Sequence, residues 1–224
     1  MKSEKDTGLE NAIKRIRRVQ DRISTTYTGE LFNFKKTEVR DMFSKDSNIK
    51  ENYLNSLSDY RSWLNANTEE LLLLNYDLKN DFNQSNLDIW RINQRIKAPN
   101  SVYEKLYRYY YKDEEGKIII KKCLNDYFGV RLIISEDTFD EDCINNTLDS
   151  LKTKHVINRF YSRKKDGYHG IHIMVNAQDN LRFPWEVQIW NSYDFDKNIK
   201  AHEKHKAMTS YLDIPKHYAT KMIS

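Results

Sequence analysis

The apolar positions of this chain change their rhythm once, near the middle. Through about residue 83 they recur at three- and four-residue spacing. Ile13, Ile16, Val19 and Ile23 make one stripe, Leu54, Leu57, Trp63 and Leu64 a second, and Leu71 to Leu74 with Leu78 and Phe82 a third. That is the period of amphipathic helices with one buried face. Ser47 or Asn48 suits the cap of the second helix, and Asn67-Thr68-Glu69-Glu70 reads as the start of the third. Asn83-Gln84-Ser85-Asn86 breaks the pattern. A strand is predicted over Leu87 to Ile96, then a helix from Pro99 to about Tyr111 with proline in its first turn. Beyond Gly116 short β-rich runs take over: Ile118 to Ile120, Val130 to Ile134, His155 to Tyr161, Ile171 to Val175 and Trp185 to Trp190. Helices are expected among them at about Asp140 to Lys152 and from near Asp194. The pattern predicts a single α+β domain. It comprises a helical N-terminal layer (1–86), a mixed β-sheet with flanking helices (87–206) and a C-terminal helical segment (207–224).

Composition narrows this without redirecting it. At 39% hydrophobic and 12% aromatic, the 224 residues can build a real core, and the aromatic content excludes a disordered chain despite 31% charged residues. Six Gly and three Pro leave little room for flexible linkers or a many-turned sandwich. No run approaches the roughly 20 apolar residues of a membrane helix. The charged start, Met1 to Asp6, argues against a signal peptide, and Cys123 and Cys143 supply neither a disulfide framework nor metal-ligand spacing. A cytoplasmic protein without a membrane partner is expected.

Charge changes the picture more. The net +4 arises wholly within residues 1–50, which hold 12 Lys/Arg against 8 Asp/Glu; the rest of the chain carries 25 of each sign. The excess centres on Lys14, Arg15, Arg17, Arg18 and Arg22. Two readings stand: an ordinary solvated helix face, or a landing strip for a polyanion, extended by Lys35 and Lys36.

Four groups of residues have chemistry to offer. Arg95 and Lys97, two apart on a strand, would share a sheet face, while Ser101 and Lys105, four apart on the next helix, would share a helix face. Three cations and a hydroxyl around one volume suit a polyphosphate. Asp126 and Arg131 flank Gly129 just before an apolar strand, where a carboxylate can hold Mg²⁺ through hard oxygens. Lys164-Lys165-Asp166-Gly167-Tyr168-His169-Gly170 places glycines about an exposed tyrosine, a possible stacking platform for a base beside paired lysines; the alternative is a plain hairpin turn. In Glu186-Val187-Gln188-Ile189-Trp190, alternation puts Glu186, Gln188 and Trp190 on one face, aiming a second carboxylate at the same cleft. His202 and His205 lack the spacing of a zinc protease.

In order and spacing the series R-x-K-x-x-x-S-x-x-x-K, D-x-x-G-x-R, K-x-x-G-Y-x-x-x-H and E-V-Q-I resembles the synthetase domain of the RelA/SpoT homologues, over roughly residues 87–206. The resemblance implies a nucleotidyltransferase-related fold and ATP-dependent transfer of pyrophosphate to a ribose 3′-hydroxyl. By the same resemblance Arg95 and Arg131 would sandwich adenine, and Lys97, Ser101 and Lys105 would address the ATP phosphates. Asp126 and Glu186 would be catalytic and hold Mg²⁺. Tyr168 would stack on the acceptor base, with Lys164, Lys165, His172 and Gln188 around the acceptor.

Four features depart from the housekeeping alarmone synthetases. Trp190-Asn191 follow E-V-Q-I in place of Arg-Thr, and His169 stands where arginine is frequent. Asp166 replaces a common asparagine, and the stretch from Lys105 to Asp126 is longer. The ATP motif is untouched. Neither a hydrolase region before the domain nor a regulatory region after it is expected. The chain therefore looks like a small stand-alone synthetase, similar to the toxic members of toxin–antitoxin pairs. That likeness makes the 3′-terminal adenosine of the tRNA CCA end the expected acceptor, with Arg15, Arg17, Arg18, Arg22, Lys35 and Lys36 as tRNA contacts and a protein antitoxin as partner. The alternatives are a free guanosine or adenosine nucleotide as acceptor, or a silent nucleic-acid-binding module. Phe128, with no hydroxyl, would weaken activity if the toxic members use a tyrosine there.

Overall fold

The computed structural model describes residues 5–29, 36–43, 47–112, 114–175 and 183–208. Lys35 and residues 209–224 lie outside them. Helix α1 (Thr7–Thr26) buries Leu9, Ala12, Ile13, Ile16, Val19 and Ile23, the stripe its spacing predicts. Asp6 caps it, accepting from the Leu9 amide at 2.7 Å. Two further helices follow, α2 (Ser47–Ala66) and α3 (Thr68–Phe82). Then come strand β1 (Ile89–Ile96), α4 (Pro99–Lys112), one turn of α5 (Ile120–Cys123), β2 (Phe128–Ile134) and α6 (Glu141–Thr153). The chain continues through β3 (Arg159–Lys165), β4 (Tyr168–Val175), β5 (Trp185–Asn191) and α7 (Phe195–Met208). None of the described helices is long and apolar enough to cross a membrane.

The five strands form one mixed sheet in the order β1-β2-β5-β4-β3, in which only β2 and β5 run parallel. Alternation sorts its two faces. Val130, Leu132, Ile134, Ile171, Ile173, Val175, Val187 and Ile189 point into the main core with the helical layer. The opposite face is open except at one end, where Ile133, Tyr168 and Trp190 meet Phe195 and Ile199 of α7.

Two predicted elements are corrected. Ile118 to Ile120 is not a strand of the sheet: Ile119 makes a lone bridge to Glu38 and Ile120 starts α5, because Thr37 and Val39 take the available hydrogen bonds. The strand expected at His155 to Tyr161 begins later and runs to Lys165, since residues 154–156 are spent on closing α6.

Candidate active site

The open face lays its polar residues out in rungs across the strands. One rung runs Arg95, Gly129, Glu186 and Met174 to Arg159; the next runs Asn93, Arg131, Gln188 and His172 to Tyr161. Arg95, Gly129, Arg131, Glu186 and Gln188 line one cleft. Gly129 keeps its floor low, and the Arg95 side chain lies across it.

Just ahead of β2, Asp126 receives Lys97 Nζ at 2.7 Å and Lys105 Nζ at 3.0 Å. Burial alone would push this carboxyl up. The two ammonium charges win and hold it well below the usual carboxylate range. Lys97 is shifted down by its own burial, against the pull of Asp126. Ser101 lies one turn before Lys105 on α4. Two of the cations expected around a polyphosphate, Lys97 and Lys105, are therefore brought together, with Asp126 between them.

A second network holds Glu186, which is 7% exposed. Its Oε1 is 2.8 Å from His172 Nδ1, and its Oε2 accepts from Gln188 Nε2 at 2.7 Å. Gln188 Oε1 in turn accepts from Arg131 Nε and Nη2 at 3.1 and 3.0 Å. Burial, the largest single effect, raises the Glu186 carboxyl; the hydrogen bonds from His172 and Gln188 and the electrostatic attraction of His172 together outweigh it, so the net shift is downward. The Asp126 charge reaches Glu186, placing the two acids in one electrostatic unit. Arg131 lies over the Trp190 ring, 3.6 Å from its centre, and burial lowers its pKa to about 10.

Two ionised carboxylates with hard oxygens suit Mg²⁺. All four of their oxygens already face a donor, two of them lysines that a polyphosphate would draw away. With the lysines drawn to a polyphosphate, the Asp126 oxygens would be open to a divalent cation that arrives with its nucleotide; among the described residues no third His, Cys, Asp or Glu joins the two acids in a metal-holding group.

Tyr168 departs from expectation. It is 8% exposed, edge-on to Trp190 and to His202 at 5.7 and 5.3 Å. Trp190 Nε1 donates to its hydroxyl at 3.0 Å, and that oxygen lies 2.8 Å from His172 Nε2. The expected exposed platform is therefore a buried linchpin, and His172, 4% exposed, is sealed between it and Glu186. The glycines serve the protein's own packing. Asp166 and Gly167 have φ of 52° and 83°, making the β3–β4 connection a tight hairpin turn. A Cβ on Gly170 would stand 2.8 Å from both Trp190 Cδ1 and the Tyr168 hydroxyl. Of the paired lysines, Lys164 turns to Glu141 at 3.6 Å, while Lys165 sits opposite Tyr168 on the open face.

Much of the basic helix face is engaged within the protein. Arg15 binds Asp81 at 2.7 Å and Asp77 at 3.2 Å, Arg22 pairs with Glu70, and Lys14 reaches Glu10. Arg17 donates to the carbonyls of His155 and Val156, both at 2.7 Å. These cations brace the helical layer, so most of the landing strip is already occupied. Arg18 and Lys36 remain exposed.

Sequence reasoning missed Tyr161. It is 40% exposed, and its ring lies parallel to that of His172 at 5.2 Å. The alternation Arg159-x-Tyr161-x-Arg163-x-Lys165 could have revealed it, had the strand not been ended at Tyr161. Trp190 was legible as sharing the face of Glu186 and Gln188 and as a departure from the housekeeping pattern, with no role attached.

A mixed sheet whose open face joins a lysine-clamped acid to a second ionised carboxylate is equipped for phosphoryl-type transfer from a nucleotide. The family model described as a region found in RelA/SpoT proteins matches residues 94–210, just over half of the chain. The chain belongs to this family, and it is accordingly an enzyme of the pyrophosphokinase class. Among solved structures it is similar to small alarmone synthetase 1 from Bacillus subtilis, at 17% identity and a TM-score of 0.44, covering 74% of this chain and 92% of that one. It is also similar to small alarmone synthetase 2 from the same organism, at 22% identity and a TM-score of 0.42, covering 75% and 95%. A third match is small alarmone synthetase 1 bound to its product pppGpp, at 18% identity and a TM-score of 0.44, covering 68% and 82%. No curated protein matches significantly.

Proposed function

We propose that the chain transfers pyrophosphate from ATP to a ribose 3′-hydroxyl, through the residues gathered on the open face. The observation that carries this is Asp126 held ionised between Lys97 and Lys105 beside Glu186. The acceptor 3′-oxygen bonds to the β-phosphorus of ATP, the bond from that phosphorus to the bridging oxygen breaks, and AMP leaves. The hydroxyl proton passes to Glu186, which His172 and Gln188 hold in the required ionised form. Lys97 and Lys105 move from Asp126 to the phosphates as charge builds there, with Ser101 alongside, while Arg95 and Arg131 hold the adenine. Mg²⁺, bound by Asp126 and Glu186, would supply charge neutralisation of the polyphosphate.

For the acceptor we favour the 3′-terminal adenosine of the tRNA CCA end. Modification there would inhibit translation and call for a protein antitoxin. Trp190 and His169 support the choice, because they rebuild the acceptor side relative to housekeeping synthetases. A free guanosine nucleotide is the second reading. It gains from the internal pairing of Arg15, Arg17 and Arg22, which withdraws cations a tRNA would need.

The deciding experiment incubates the protein with γ-labelled ATP and, separately, GDP, GTP and deacylated tRNA. Label should move to one acceptor with stoichiometric AMP, and Arg95→Ala or Lys97→Ala should abolish it. Transfer to none of them, or full activity in both variants, refutes the reading.

A further inference from the structure

We propose that Asn93 reads the edge of the donor base, accepting from the 6-amino group of adenine and donating to its N7, and so selects ATP over GTP. The proposal deepens the pyrophosphokinase reading and rests on it.

The odd positions at the end of β1 lay out the parts of a nucleotide in order. Lys97, just past the strand, marks the phosphate end with Asp126 and Lys105. Arg95 comes next, across from Gly129, and Asn93 follows, across from Arg131; all four residues of these two pairs line the cleft. Each two-residue step moves along one sheet face by about 7 Å. A purine whose phosphates sit at Lys97 therefore enters the cleft with N9 toward Lys97, between Arg95 and Arg131. Its far edge, which bears the 6-amino group, is delivered to Asn93.

Reading that edge takes a donor and an acceptor held side by side, as in a side-chain amide. Three amides line the cleft, and two are spent. Gln188 donates to Glu186 and accepts from Arg131. Gln94 turns to α3, donating to the Leu71 carbonyl at 3.0 Å and to Asn75 at 2.9 Å. Asn93 is exposed, and its amide has no partner among the described residues. The charged neighbours do not replace it. Arg95 and Arg131 only donate, and the 6-amino group needs an acceptor. Glu186 only accepts, and both its oxygens are engaged.

The chemistry of the two purines makes the contact selective. Along its N7 edge adenine offers one donor and one acceptor, the complement of an amide. Guanine offers two acceptors there, O6 and N7, so the amide satisfies one and sets its own oxygen against the other. The N1 edge does not separate the bases, because an amide that nothing holds turns over to match either. Selection of ATP by Asn93 therefore runs through N7.

The test measures binding without an acceptor, so that it stands apart from turnover. Non-hydrolysable analogues of ATP, 7-deaza-ATP and GTP, each with Mg²⁺, are titrated by calorimetry against wild type, Asn93→Ala and Asn93→Asp. Circular dichroism and melting temperature serve as fold controls. The wild type should bind the ATP analogue about tenfold or more tightly than either of the others. Asn93→Ala should bind all three alike. Asn93→Asp keeps the acceptor and loses the donor, so it should treat the ATP and 7-deaza analogues alike and still reject the GTP analogue. A 7-deaza penalty that survives in Asn93→Ala, or a wild type that binds all three alike, overturns the proposal. A wild type that binds none of them refutes the pyrophosphokinase reading, and the proposal falls with it.

Discussion

At the scale of single residues, the site is built from charges that hold one another in place. Asp126 is the centre of this. Its folded-state pKa lies below the ordinary value near 3.9, so its stabilising contribution is complete above that pH and drains away as pH falls toward the folded value. Asp126→Asn leaves Lys97 and Lys105 facing each other without an anion, and should cost roughly 3 kcal/mol at pH 7 by urea denaturation. The gap between variant and wild type should narrow from pH 5 to pH 3; a gap that widens would contradict the clamp. Gly170 makes a second local test. A methyl group there meets Trp190 and the Tyr168 hydroxyl at 2.8 Å, so Gly170→Ala should destabilise by about 1–3 kcal/mol and disturb Trp190 fluorescence. Neither partner was legible as such from sequence, since Gly170 stands 20 positions from Trp190 and only strand pairing joins them.

At the scale of elements, α1 is a brace. Its amphipathic spacing was readable, but the use of its cations was not, because Asp77, Asp81 and Glu70 arrive from α3, more than 45 positions away. Periodicity reveals a face and says nothing of what will lie against it. The N-terminus of α1 is fixed as firmly: the Asp6 carboxylate accepts from Ser85 Oγ and the Asn86 amide, and the Asp6 amide donates to Thr147. Asp6→Ala should therefore lower stability by about 2 kcal/mol. By contrast Arg18→Glu, on an exposed position, should leave the melting temperature essentially unchanged. Equal effects of the two substitutions would mean that α1 is held by its apolar face alone. The misread strand near Ile119 has a related cause. A short apolar run fits either a strand or a buried turn until its hydrogen-bond partners, here Thr37 and Val39, are known.

At the scale of the whole molecule, the class of fold was legible because the change of period divides helices from sheet, and the site's order along the chain carried the family resemblance. The sheet order was not. Placing β5 between β2 and β4 depends on pairings between distant segments, as in Arg131 with Gln188, 57 positions apart. That pairing governs how the protein comes into being. Closing so long a loop costs entropy that the β3–β4 hairpin, with its tight turn, does not face. In pulse-labelled refolding, the amides of β5 should gain protection from exchange after those of β3 and β4, and simultaneous protection would refute this order. On the ribosome, β1, β2 and the hairpin emerge with Asp126 and both lysines, yet Glu186 and Gln188 follow only with the last strand of the sheet. The growing chain thus holds the pieces of this cleft before it holds the cleft, which closes only when β5 joins β2 to β4.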